Sequence, residues 1–157
     1  MDLWPLLSVS DIGTSIQFAI GPIFLLVGTG SLLNVVTVRL GRVIDRARIL
    51  ENLIEQGEAA VLEERHLGEL KVLDKRMRFG NRAVFFCALS AVLICLLVAL
   101  LFLLDLASIP AGFVIAVLFV GVVCSLSIGL ISFLREVSLA TRALRVRTEI
   151  LTRKIGV

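Results

Sequence analysis

IQFAIGPIFLLVGTGSLLNVVTVRLGRVIDRAR, residues Ile16 to Arg48, carries an apolar run of membrane length straight into a cluster of arginines, with no turn signal between them. The part from Ile16 to Val38 contains no Asp, Glu, Lys or Arg. About 20 helical residues cross about 30 Å of hydrocarbon, so this run is long enough to span. Ala83 to Leu104 and Phe113 to Leu134 are equally free of charge. The 157-residue chain is 58% hydrophobic with a mean hydropathy of +1.00, far more apolar than a soluble domain. Backbone polar groups cannot stay unpaired in lipid, and the apolar/polar alternation of a closed barrel is absent, so the spans are expected to be helices.

The charges orient those spans. Ten basic residues lie between Arg39 and Arg82 and six more follow the third span, which accounts for all 16. Only Asp2, Asp11 and Asp105 fall on the other side. The positive-inside rule then places the N-terminus outside, the first-to-second loop and the C-terminus in the cytoplasm, and Asp105 to Gly112 outside as a short turn. With ten of the 13 acids also inside, the inner part carries +6 and the outer part −3. The opening MDLWPLLSVSDIG has neither a basic n-region nor a small-residue cleavage site and reads as retained, with Trp4 and Pro5 as an interfacial anchor.

The expected organisation has four parts. Residues 1–38 form the outer N-terminus and first span, 39–82 a cytoplasmic helical hairpin, 83–134 the second and third spans with their outer turn, and 135–157 a cytoplasmic C-terminal helix. The first helix starts near Ser10 or Asp11 as cap, and Pro22 should kink it. Thr14, Gln17, Gly21, Phe24, Gly28 and Ser31 make a mostly small or polar face, suited to close approach of another helix or to lining a wet pore. Gly30, Asn34, Thr37 and Gly41 make a second packing face. Two such faces suggest two neighbours, one inside the chain and one from another subunit. No turn signal then appears before Gly57, and Leu40, Val43, Ala47, Leu50 and Ile54 keep a 3-4 spacing. Glu58 to Phe79 reads as a returning helix with Leu62, His66, Leu70, Leu73 and Met77 on one side. Gly80 and Asn81 read as a hinge before the second span, and Gly121 with Ser125 as a small-residue contact in the third. Beyond it, Val137, Thr141, Leu144, Thr148, Leu151 and Ile155 repeat at coiled-coil spacing, so the tail packs on the hairpin or lies on the anionic inner leaflet. The fold class is therefore all-α, with three transmembrane helices of which the first and third extend into a cytoplasmic helical bundle.

Chemistry-bearing motifs are scarce. There is no phosphate-cradling glycine loop, H-E-x-x-H or G-x-S-x-G, which speaks against an enzyme and leaves no catalytic, metal or cofactor residue to name. The basic residues are interleaved with ten acids and only Phe79 is aromatic there, which speaks against nucleic acid. Cys87, Cys95 and Cys124 fall in spans without C-x-x-C spacing and read as small hydrophobes, and the lone His66 as a packed polar residue. What does converge is charge at the cytoplasmic interface: Arg39, Arg42, Asp45, Arg78, Asn81, Arg82, Arg135 and Glu136. One reading is arginines that snorkel to lipid phosphates, and the other is a ring of bidentate ion pairs shaping a vestibule, with Asp45 and Glu136 as its nearest carboxylates.

At these residues the chain resembles a bacterial membrane family known as domain of unknown function 2721. The resemblance rests on Asn34 with Arg39-Leu40-Gly41-Arg42 and Asp45-Arg46-x-Arg48, on Asn81-Arg82-Ala83 with Ser90 and Cys95, and on Phe133-Leu134-Arg135-Glu136-Val137. It implies a three-span protein of the bacterial inner membrane and supplies no activity. The functional expectation is a homo-oligomeric ion channel with a cytoplasmic vestibule. The alternative is a non-conducting scaffold or accessory subunit that holds an unidentified cytoplasmic protein. Anionic lipid at the inner leaflet is an expected partner of either.

Overall fold

A computed structural model describes residues 9–57, 60–107 and 112–155, with side chains over 16–57, 62–107 and 112–141. The described residues form three helices: α1 (Val9–Glu55), α2 (Ala60–Leu106) and α3 (Gly112–Ile155). Each contains a stretch long and apolar enough to cross a membrane. At 47 residues α1 and α2 are each about 70 Å long, more than twice the hydrocarbon thickness, so helix must continue well beyond any bilayer it crosses. These are the features of a multi-pass membrane protein. Trp4, Pro5 and Pro110 lie outside the described residues, as do the side chains of Thr14 and of the tail beyond Thr141.

The helices end where the sequence changes character. Gly57, with φ of 78°, takes the left-handed conformation that closes a helix, and its N–H donates to the Ile54 carbonyl at 3.2 Å. Pro22 lies inside α1, which continues through it. Interior hydroxyls donate back to their own helix instead of remaining bare in an apolar setting: Thr29 to Leu25 O at 2.8 Å and Ser90 to Cys87 O at 2.9 Å.

The expected hinge at Gly80 and Asn81 is not there, because α2 runs through both residues without interruption. Gly80 serves proximity instead. A Cβ built on it would lie 2.9 Å from Leu40 Cδ1, so α1 reaches α2 more closely here than an ordinary side chain permits.

By contacts the chain divides into two units, residues Met1–Leu33 with Phe86–Ser127 and residues Asn34–Phe85 with Ile128–Val157. All 16 basic residues fall in the second unit, and the first holds only Asp2, Asp11 and Asp105 as charges. The buried side chains of the first unit are mostly small, among them Ala19, Thr29, Cys87, Ser90 and Ser125, joined by Ile94, Leu97 and Val122. Small residues let helix backbones approach where lipid tails compete equally for apolar surface. There Ser125 also donates from α3 to Phe86 O of α2 at 3.0 Å. Its expected companion Gly121 has no neighbour within 4 Å of a built Cβ.

The second unit contains a core of Val43, Ala47, Leu50 and Leu73, against which Leu70 and Met77 pack. These are the hairpin positions that the 3-4 spacing selects. Across the same two helices Arg46 grips Glu69 with Nε and Nη2, at 2.9 and 3.3 Å. Glu69 raises the Arg46 pKa through that hydrogen bond, but the pair is exposed and worth at most about 1 kcal/mol.

Leu50→Ala empties a fully buried site and is expected to cost about 2–3 kcal/mol, speeding amide exchange of residues 43–54 by roughly 30- to 150-fold, whereas Ile49→Ala leaves exchange nearly unchanged because Ile49 is exposed. Gly80→Ala is expected to change stability by under about 1 kcal/mol, since helix propensity gained offsets the shift forced on the flexible Leu40 tip. Gly80→Leu should cost about 2 kcal/mol or more in thermal unfolding, by forcing α1 and α2 apart.

Candidate functional site

In the second unit one charged residue from each helix meets the other two: Arg39 of α1, Arg76 of α2 and Glu136 of α3. On α3 the ridge of Ser132 and Glu136 is buried, with Glu136 only 4% exposed. A carboxylate taken out of water costs several kcal/mol unless it is paired and hydrogen-bonded. Arg76 of α2 supplies that pairing, donating to Glu136 Oε1 from Nε at 3.1 Å and from Nη2 at 2.7 Å. Arg39 of α1 approaches the other oxygen, its Nε lying 3.5 Å from Oε2. The Arg39 guanidinium lies over Phe133, 5.6 Å from the ring centroid, where the negative face of the ring favours a cation.

The two arms differ. Oε1 is fully engaged, whereas Oε2 is buried and accepts no hydrogen bond among the described residues. Val36, Leu40, Val43 and Gly80 complete the lining of the cleft around the triad, which has no room for a water molecule. One carboxylate between two guanidinium groups leaves the triad with a formal charge of +1. Arg39 is the more open of the two cations, with 38% of its side chain exposed against 20% for Arg76.

The charged residues expected to converge do so only in part. Arg39 and Glu136 are brought together. Arg42, Asp45, Arg78, Asn81, Arg82 and Arg135 are exposed, and Arg78 is paired within its own helix, to Asp74 at 2.6 and 3.1 Å. Within one chain, and among the described residues, the shared element is one buried carboxylate, Glu136, reached by two arginines. Arg76, absent from the expected set, makes its strongest contacts. Position is the signal that finds it: Leu73, Arg76, Gly80 and Ala83 keep a 3-4 spacing along α2, so an arginine stands where the buried ridge requires an inward side chain.

The two small-residue faces of α1 are also placed. Gln17, Gly21, Phe24, Gly28 and Ser31 are all exposed, Phe24 to 73%, and nothing lies within 4 Å of a Cβ built on Gly21 or Gly28. Gly30, Asn34 and Thr37 are exposed and Gly41 is half-buried, again with open space at both glycines. The neighbour expected inside the chain for one of these faces is missing among the described residues. α1 packs instead through Ala19 and Thr29 in the first unit and through Val36, Val43, Ala47 and Leu50 in the second.

Cys87 is buried, Cys95 and Cys124 are exposed, and His66 is half-buried. Among the described residues no three His, Cys, Asp or Glu side chains come together as a metal site.

The family model described as a protein of unknown function (DUF2721) matches residues 19–146, and the chain belongs to that family. The matched region contains Arg39, Arg76 and Glu136. No curated protein and no solved structure matches the chain.

Arg76→Met strands the buried carboxylate and is expected to cost about 3 kcal/mol. Adding Glu136→Leu to that variant removes the stranded charge. Most of the loss in thermal unfolding temperature in mild detergent should then return, because an apolar pair of similar volume is close to neutral.

Proposed function

We propose that the protein works in a bacterial inner membrane as a closed assembly of its own copies that conducts ions along an axis lined by the Gln17–Ser31 face of α1. The observation that carries this reading is the exposure of that whole face, with open space over Gly21 and Gly28. A glutamine and two glycines turned toward lipid leave a polar group and close-approach surface unused. Several copies around an axis would turn that face toward a water-filled path and solvate the glutamine. Three spans per chain are too few to enclose a path, so a pore requires several copies around an axis. The distribution of basic residues supports an outer N-terminus and a cytoplasmic hairpin and C-terminus. In that orientation Arg42, Arg82 and Arg135 set a positive potential at the inner mouth and attract anionic lipid of the inner leaflet.

One observation favours a second reading. Ile49, Leu67 and Val72 of the hairpin are exposed apolar side chains outside the uncharged spans. If they remain open in the assembly, they suit a scaffold that holds a cytoplasmic protein.

Light scattering that separates protein from detergent mass is expected to give a single closed oligomer. Liposomes containing it should pass ions, and Gln17→Leu should reduce the flux several-fold while leaving the oligomer mass unchanged. A monomer, or flux indifferent to Gln17→Leu, removes the channel reading.

A further inference from the structure

We infer that Arg39 is a dedicated binding residue for the phosphate group of an anionic phospholipid, held in position by Glu136 and Phe133. The inference deepens the proposed attraction to anionic lipid and rests on that membrane placement. The triad supplies the first argument. Glu136 balances one of the two arginines, and Arg76 holds that carboxylate through two hydrogen bonds, so the triad keeps a net positive charge whose more exposed and more loosely paired member is Arg39. Arg39 is also the first charged residue after the uncharged run from Ile16 to Val38, at the depth where a span meets headgroups.

Orientation supplies the second argument. A free arginine on a surface samples many rotamers, whereas this one is ion-paired, with Nε 3.5 Å from Glu136 Oε2, and has Cζ over the Phe133 ring, 5.6 Å from its centroid. The guanidinium makes no hydrogen bond among the described residues, so its paired Nη donors remain available. A fork of two parallel N–H groups matches two oxygens of a phosphate, which a lysine ammonium cannot reproduce. The cleft behind it admits no water, so the ligand binds on the exposed side of Arg39. Arg42 and Arg135 are exposed and have no such buried carboxylate or ring among the described residues, so they contribute only general attraction.

The test uses the full chain in nonionic detergent, with phosphatidylglycerol, phosphatidylcholine or inorganic phosphate added, and retained lipid counted by native mass spectrometry. Wild-type protein is expected to retain phosphatidylglycerol over phosphatidylcholine. Arg39→Lys and Arg39→Gln should each cut that retention by about fivefold or more, while Arg42→Gln and Arg135→Gln stay within about twofold. Glu136→Gln separates positioning from bulk charge. It makes the protein more positive, so diffuse attraction would raise retention, whereas loss of orientation lowers it. Phe133→Leu leaves charge untouched and should also lower retention, which decides the matter if Glu136→Gln fails to fold. Equal retention of the two lipids by wild-type protein would overturn the anionic-lipid reading itself. A preference for phosphatidylglycerol that survives Arg39→Lys, or falls equally in Arg42→Gln, would overturn only the Arg39 site. Displacement of the lipid by millimolar inorganic phosphate would overturn the choice of a lipid as ligand.

Discussion

A single buried carboxylate ties three helices of the second unit together. Glu136 cannot be dehydrated alone, so α3 is held where Arg76 of α2 can donate twice to one oxygen and Arg39 of α1 can approach the other. Apolar ridges slide past one another at modest cost, because one methyl group is much like the next. A carboxylate that must meet a particular guanidinium has one acceptable register. The close approach of Leu40 to Gly80 lies in the same cleft, so steric fit and charge pairing reinforce one alignment of α1 and α2.

The rest of the packing follows one helical pattern with changing side-chain size. Buried positions recur at 3-4 spacing on every helix: Val36 and Val43 on α1, Ala83, Cys87, Ser90, Ile94 and Leu97 on α2, and Val122, Ser125, Ser132 and Glu136 on α3. Their chemistry changes along the way. Where lipid is the competitor, burying a leucine gains little, and small residues with self-satisfied hydroxyls allow tight contact. In the second unit the larger Val43, Leu50 and Leu73 form the core beside Ala47. The charged triad lies in the unit that holds every basic residue, which is where pairing a buried ion with arginine is available.

Parts of the site are legible in the sequence. Arg39 and Glu136 stand out because each lies at the end of an uncharged run. Arg76 does not, since it sits among Lys75 and Arg78 in a stretch that looks like a solvated face. Asp45 has the position of a natural neutraliser, one turn beyond Gly41, yet its side chain is exposed to solvent. Proximity in sequence selects Asp45, and ridge position selects Arg76. The Gly80-Asn81 pair misleads for a related reason. Glycine next to asparagine resembles a break, but a helix already committed by its neighbours uses the missing side chain for contact with Leu40.

That the chain is helical, that three of its segments can cross a membrane, and that a turn falls at Gly57 are all settled by the order of residues alone. Those properties follow from local rules: the length of uncharged runs, the need to pair backbone groups in lipid, and the conformational freedom of glycine. Which side of each helix faces its neighbours is settled only by packing in three dimensions. Gly21, Gly28 and Gly30 offer the most inviting contact surface, yet Ala19, Thr29 and Val36 are the residues buried. The reason is that α1, α2 and α3 must satisfy one another at once. A periodic pattern on one helix shows which faces could be buried, and the choice among them depends on what the other two helices bring to meet it, as Arg76 and Arg39 do for Glu136.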